Sequence, residues 1–242
     1  SLDRRRQLLD LAQRYSKSHR ILILEDAAYR ELRFAGQDVP TIKSFDRTNE
    51  HVILAMTFSK PLSPGVKTGY GVLPRDLVAP LLRFKGNHDF GSSNFNQHLL
   101  DRLMETGVYH RHAETLRGVY RAKRDTLLAA LAEEFPPALS PVRWTRPDGG
   151  MYVWLVFPPE VDTGIDSPLF KAALREGMVY VPGEFCYVPD ASNARPGTNE
   201  ARLCFGVATH DELREAVRRL GAAAREVLPT PKIKMRAFAG CK

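Results

Sequence analysis

Two short stretches carry side chains whose types and spacing suit covalent chemistry on a small molecule. The first, "ILEDAAYREL", ends an apolar run on Asp26 and places Tyr29 three residues later. The second, "TFSKPLSPGVKTGYG", follows the apolar run "HVILAM" with Thr57, Ser59 and Lys60, then adds Lys67 beyond a Pro/Gly turn. An amine condenses with an aldehyde to form a Schiff base. A carboxylate keeps a ring nitrogen protonated, a phenol hydrogen-bonds a ring oxygen, and hydroxyls with a cation neutralise a phosphate. These are the groups that a pyridoxal phosphate site requires. Taken one at a time, the same residues also read as ordinary solvated turns at strand ends.

For the groups to meet, the strands that carry them must end on one rim, where open α/β sheets bind ligands. "ILIL" (21–24) and "HVILAM" (51–56) are short continuous apolar runs, the pattern of strands buried on both faces of a parallel sheet. "TGYGVLP" (68–74) reads as a third strand. Residues 2–18 space their apolar side chains at helical period behind a Ser1 cap. "RDLVAPLLRFKG" and "SNFNQHLLDRLMETG" read as helices, each stopped by a glycine. A long amphipathic pattern over 108–135 is suited to bridging two domains. Beyond the breaker "PPALSP", "VRWT" and "MYVWLVF" read as strands joined by a "RPDGG" turn. A helix near 167–176, a strand "MVYVP", a loop over 182–199, a strand "ARLCFGVA" and a helix over 210–227 follow. The expectation is an α/β unit with a mainly parallel sheet, then a smaller α+β unit. An irregular tail covers 230–242.

Composition removes several function classes. The chain has 242 residues and a formal net charge of +7, but Lys and Arg are interleaved with Asp and Glu. No basic run alternates with aromatic residues as a nucleic-acid platform requires, so no nucleic-acid partner is expected. The apolar runs are too short to cross a bilayer, and no membrane partner is expected. Cys186, Cys204 and Cys241 are odd in number and lack CxxC spacing, pointing to a reducing, cytoplasmic compartment without a zinc site. His110 and His112 would point to different faces of a helix, so no metal pair is expected.

With these stretches in order, the chain resembles the class I/II aminotransferases, the fold-type-I pyridoxal-phosphate enzymes. "ILEDAAYREL" and "TFSKPLSPGVKTGY" are similar to the family's D-x-x-Y strand end and its S-F-S-K segment with a following cation. "RPDGGMYVWLVFP" resembles the P-x-G-G-M-F-x-W strand that opens the small domain. "EGMVYVPGEFCY" resembles G-V-x-V-x-P-G-x-x-F, and "NEARLCFGVA" resembles the closing strand whose arginine grips the substrate α-carboxylate. The resemblance extends over roughly residues 2–228.

The resemblance implies a transaminase, exchanging an amino group between an amino acid and a 2-oxo acid, with pyridoxal 5'-phosphate as cofactor. It makes Lys60 the Schiff-base lysine and the acid–base of the proton shift. Asp26 pairs with the pyridine nitrogen and Tyr29 with the 3-oxygen. Thr57, Ser59 and Lys67 stand at phosphate positions, and Arg202 takes the substrate carboxylate. Lys67 replaces the usual arginine and so lacks its bidentate fork. Residues 1–118 correspond to the C-terminal part of a large cofactor-binding domain, and 119–229 to a small domain with its bridging helix. The resemblance also implies a chain that opens mid-domain, an inactive segment by itself and a homodimer when complete. Two alternatives share these residues: an aminotransferase-like effector domain of a transcription regulator, and another reaction (lyase, decarboxylase or synthase) on the same fold.

Overall fold

In the computed structural model, residues 1–188 and 195–228 are described. They form two compact units. One is Ser1–Arg121 with Asp148–Gly150; the other is Ala122–Pro147 with the described part of Met151–Lys242. The tail expected over 230–242 and part of the loop expected over 182–199 lie outside the described residues.

The first unit opens with α1 (Leu2–Tyr15), started by the Ser1 hydroxyl accepting from the Arg4 N–H. α1 buries Leu9 and Ala12, and Leu9 meets Ile42 and Val52 in a core that Ile23 and Phe45 extend. β1 (Ile23–Asp26) lies parallel to β2 (Val52–Thr57), with Ile23 beside Val52 and Asp26 beside Ala55. β3 (Gly69–Val72) runs antiparallel to β2, bringing Gly69 opposite Thr57. The order is β1-β2-β3, so the sheet combines one parallel and one antiparallel pair.

The apolar "ILIL" run differs from its expectation. Alternation along β1 turns Ile23 to the core, and Leu24 is 67% exposed on the opposite face. Glu25 shares the Ile23 side, where its carboxylate accepts from the Ile42 and Lys43 N–H groups and from Arg5. Within the described residues of this unit β1 is thus covered on one face.

α2 (Arg75–Asp89), α3 (Asn94–Glu105) and α4 (Val108–Glu134) follow. α2 runs through Gly86 instead of stopping there, and ends at Phe90 in the left-handed region. A Cβ at Gly86 would meet nothing, so this glycine is merely a weak helix residue in open space. Gly107, at φ +69, does separate α3 from α4. α4 supplies its residues up to Arg121 to the first unit and the rest to the second.

The second unit contains β4 (Arg143–Trp144), β5 (Tyr152–Val156), α5 (Pro168–Arg175), β6 (Val181–Pro182), β7 (Glu200–Cys204) and α6 (His210–Val227). Its strands form an antiparallel sheet in the order β4-β5-β7-β6. Period-2 alternation buries Val153, Leu155, Ala201 and Leu203 on one face. Tyr152, Trp154, Glu200 and Arg202 occupy the other. α6 starts on a capping box between Thr209 and Glu212 and buries Leu213, Val217 and Leu220. No described helix is long and apolar enough to cross a membrane.

Candidate active site

β1 and β2 end side by side because they are parallel neighbours, and the candidate side chains lie at and just beyond those ends. Asp26 closes β1; its carboxylate accepts from the Ala28 N–H at 3.0 Å, turning the chain sharply out of the strand. Tyr29 then leads into a 3-10 turn over Arg30–Leu32, where the Leu32 N–H bonds the Tyr29 carbonyl at 3.0 Å. From β2, Thr57 donates its hydroxyl to the Ser59 hydroxyl at 3.0 Å and accepts from the Ser59 N–H at 3.1 Å. This local ring bends the chain so that Lys60 turns back toward β1. The Lys60 Nζ stands 5.5 Å from the centre of the Tyr29 ring, over its face.

Lys67 sits at the end of a 3-10 turn, Pro64–Val66, with φ +45 and an exposed side chain. Asn96 of α3 supports this turn by donating to the Val66 carbonyl at 2.9 Å. Gly69 allows the loop to rejoin the sheet: a Cβ there would lie 2.5 Å from the Met56 carbonyl oxygen. Phe58, between Thr57 and Ser59, packs edge-on to Tyr109 with ring centres 5.8 Å apart. Burial pushes the Tyr109 phenol up to about 12, so it remains neutral beside the loop.

Arg202 belongs to the second unit. On β7 it pairs with Trp154 on one side and Val181 on the other. Its guanidinium carbon lies over the Tyr152 ring, 4.5 Å from the ring centre, with no side-chain hydrogen bond or ion pair among the described residues. A guanidinium over a ring can still offer its N–H groups to an anion.

The structure therefore brings Asp26, Tyr29, Thr57, Ser59 and Lys60 to one rim of one sheet. Lys67 follows in the same loop, and Arg202 stands on the separate sheet. Two sets of residues were not singled out from the sequence. One is Glu200, whose single carboxylate oxygen accepts from the Trp154 indole at 2.9 Å and the Tyr187 phenol at 2.7 Å. That bond holds the Tyr187 phenol above its usual range. The other is Arg117 on α4, which bonds the turn that follows Tyr29. An acid two residues before the strand arginine was the one available hint for Glu200.

The family described as "Aminotransferase class I and II" matches residues 3–220. An aromatic-amino-acid aminotransferase of Thermococcus litoralis is 34% identical over 92% of this chain and 50% of its own. A multiple substrate aminotransferase from Thermococcus profundus superposes with a TM-score of 0.81 at 35% identity, over 93% of this chain and 52% of its own. An α-aminoadipate aminotransferase from Thermus thermophilus, complexed with N-(5'-phosphopyridoxyl)-L-leucine, gives a TM-score of 0.77 at 32% identity, over 93% and 55%. An HTH-type transcriptional regulator of Staphylococcus aureus also matches, at 27% over 88% of this chain and 45% of its own. The chain spans about half the length of the relatives it matches. The family match extends over nearly the whole chain, and the chain belongs to the class I and II aminotransferases, a pyridoxal-phosphate-dependent family of fold type I.

Proposed function

We propose that the protein carrying this chain is a pyridoxal-phosphate-dependent aminotransferase, exchanging an amino group between an amino acid and a 2-oxo acid, with Lys60 as its central amine. The observation that carries this reading is the Lys60 amine over the Tyr29 ring, at strand ends that also present Asp26. The donor set fits the cofactor by its chemistry. It offers a carboxylate for the ring nitrogen (Asp26), a phenol for the 3-oxygen (Tyr29), and two hydroxyls with an ammonium for the phosphate (Thr57, Ser59, Lys67). When bound, pyridoxal phosphate supplies an electron sink for bond cleavage at the substrate α-carbon.

The chain's own residues carry the rest. With the cofactor bound, the Lys60 Nζ would be the group that takes up and gives back the proton lost from the substrate α-carbon. Arg202, whose guanidinium lies over the Tyr152 ring, is the group proposed to receive the substrate α-carboxylate. The complete protein is a homodimer in this reading, supported by α2, which buries none of its own side chains and exposes Leu82 and Phe84.

Amino transfer by the complete protein from several amino acids to 2-oxo acids tests the proposal. Wild type is expected to turn over, and Lys60→Ala to lose on the order of 10²–10⁴-fold in rate. Cofactor retention without transfer by wild type would contradict it, and would favour an effector role like that of the matched regulator.

A further inference from the structure

The turn that follows Tyr29 is gripped from two sides within the first unit. From α4, Arg117 donates Nε to the Glu31 carbonyl at 2.8 Å and Nη2 to the Glu31 carboxylate at 3.4 Å. Its Nη1 is held by Glu114 one helical turn back, at 2.9 Å, so the fork is aimed before it meets the turn. One turn further along, Arg121 donates to the Phe34 carbonyl. From the other side, the Phe34 and Ala35 N–H groups both bond the Asp148 carbonyl, at 2.9 and 3.0 Å, and the Gly150 N–H bonds the Leu32 carbonyl at 3.1 Å. Residues 31–35 are thereby fixed at both edges. Tyr29, which opens the turn, in turn lies beneath the Lys60 amine.

A short 3-10 turn has poor internal hydrogen-bond geometry. The α4 fork reinforces it, because a guanidinium that bonds a carbonyl and a carboxylate of one residue fixes direction as well as distance. We infer that Arg117 is a positioning residue for Tyr29, acting through Glu31 to hold the phenol ring beneath Lys60. This rests on the reading of Lys60 as the cofactor-binding amine. Arg117 touches neither cofactor nor substrate. Its effect is on where the ring stands when the lysine amine condenses with an aldehyde, forming the C=N bond and releasing water.

The test is a double-variant cycle in the complete protein. Wild type, Arg117→Ala, Tyr29→Ala and the double variant are equilibrated with graded pyridoxal phosphate and reduced with borohydride. The secondary amine formed on Lys60 is then quantified by peptide mapping. Arg117→Ala is expected to raise the half-saturating concentration about fivefold in the wild-type background and less than about twofold in the Tyr29→Ala background. An equal fold-change in both backgrounds overturns the inference while leaving the functional reading intact, because a general loosening of the fold does not depend on Tyr29. Wild type labelled elsewhere, with Lys60 free, overturns both. If Arg117→Ala loses its cooperative thermal transition, Arg117→Lys, which keeps the charge but not the fork, is read by the same criterion.

Discussion

Gly149 lies against Arg33 so closely that a Cβ built on the glycine would stand 2.9 Å from the Arg33 Cα and 2.9 Å from the Leu32 carbonyl oxygen. Both neighbours are backbone, and that backbone is the turn gripped by Arg117 and Arg121. Gly150 differs: it has φ +76, and a Cβ there would meet nothing. Gly149→Ala is therefore expected to cost about 1–3 kcal/mol by displacing the turn. Gly150→Ala is expected to cost about 1–2 kcal/mol through its left-handed conformation alone. Chemical denaturation measures both, and cofactor titration separates them: Gly149→Ala alone should weaken retention.

Asp46 sets an acid limit on the first unit. Burial opposes its charge, but the N–H groups of Val52, Glu50 and His51, with the Lys43 ammonium, outweigh burial and hold the carboxyl below its ordinary range. A depressed folded-state value means stability present above the unfolded value of about 3.9 and lost as pH falls through the folded one. Asp46→Asn removes the charge opposite the half-buried Lys43 and turns an amide toward N–H donors, an expected cost of about 1–3 kcal/mol at pH 7. Unfolding curves at pH 7 and pH 3 check this; the gap between wild type and variant should narrow at pH 3.

Lys67 combines a left-handed backbone with a proposed phosphate charge. Lys67→Gly is expected to gain up to about 1 kcal/mol in stability by relieving that conformation, while losing cofactor affinity. Lys67→Arg should tighten retention by about 1 kcal/mol through its fork. Cofactor titration of both variants decides; tighter or unchanged binding by the glycine variant would place Lys67 away from the phosphate.

Glu200 accepts from Trp154 and Tyr187 beside the strand arginine, and the Tyr187 phenol is held up first by that hydrogen bond and then by desolvation and the carboxylate's charge. Glu200→Gln is expected to lower the Tyr187 titration toward its ordinary value of about 10. The spectrophotometric difference between wild type and variant across pH 9–12 reads that change. Arg202→Ala, by contrast, should weaken substrate binding and leave cofactor absorbance unchanged, and substrate titration of the loaded protein reports it.

Much of the fold was legible because period and capping agree. The capped start of α1, the long run of α4 and the alternation of β5 and β7 all follow from residue spacing. The exposure of Leu24 was not legible, since an apolar run looks the same whether or not a neighbour covers it within the described chain. Nor was the passage of α2 through Gly86, because a glycine in open space weakens a helix without breaking it. The meeting of Tyr29 with Lys60 follows from two strand-end motifs. The clamp by Arg117 on Glu31 joins residues 86 positions apart and follows no period.

In the proposed function, Lys60 is the amine that takes the cofactor. Reduction of the pyridoxal-phosphate-loaded complete protein with borohydride, followed by peptide mapping, tests it most directly. A stoichiometric label on Lys60, abolished by Lys60→Ala, is the expected result. A label on Lys67 or any other lysine, with Lys60 free, would contradict it.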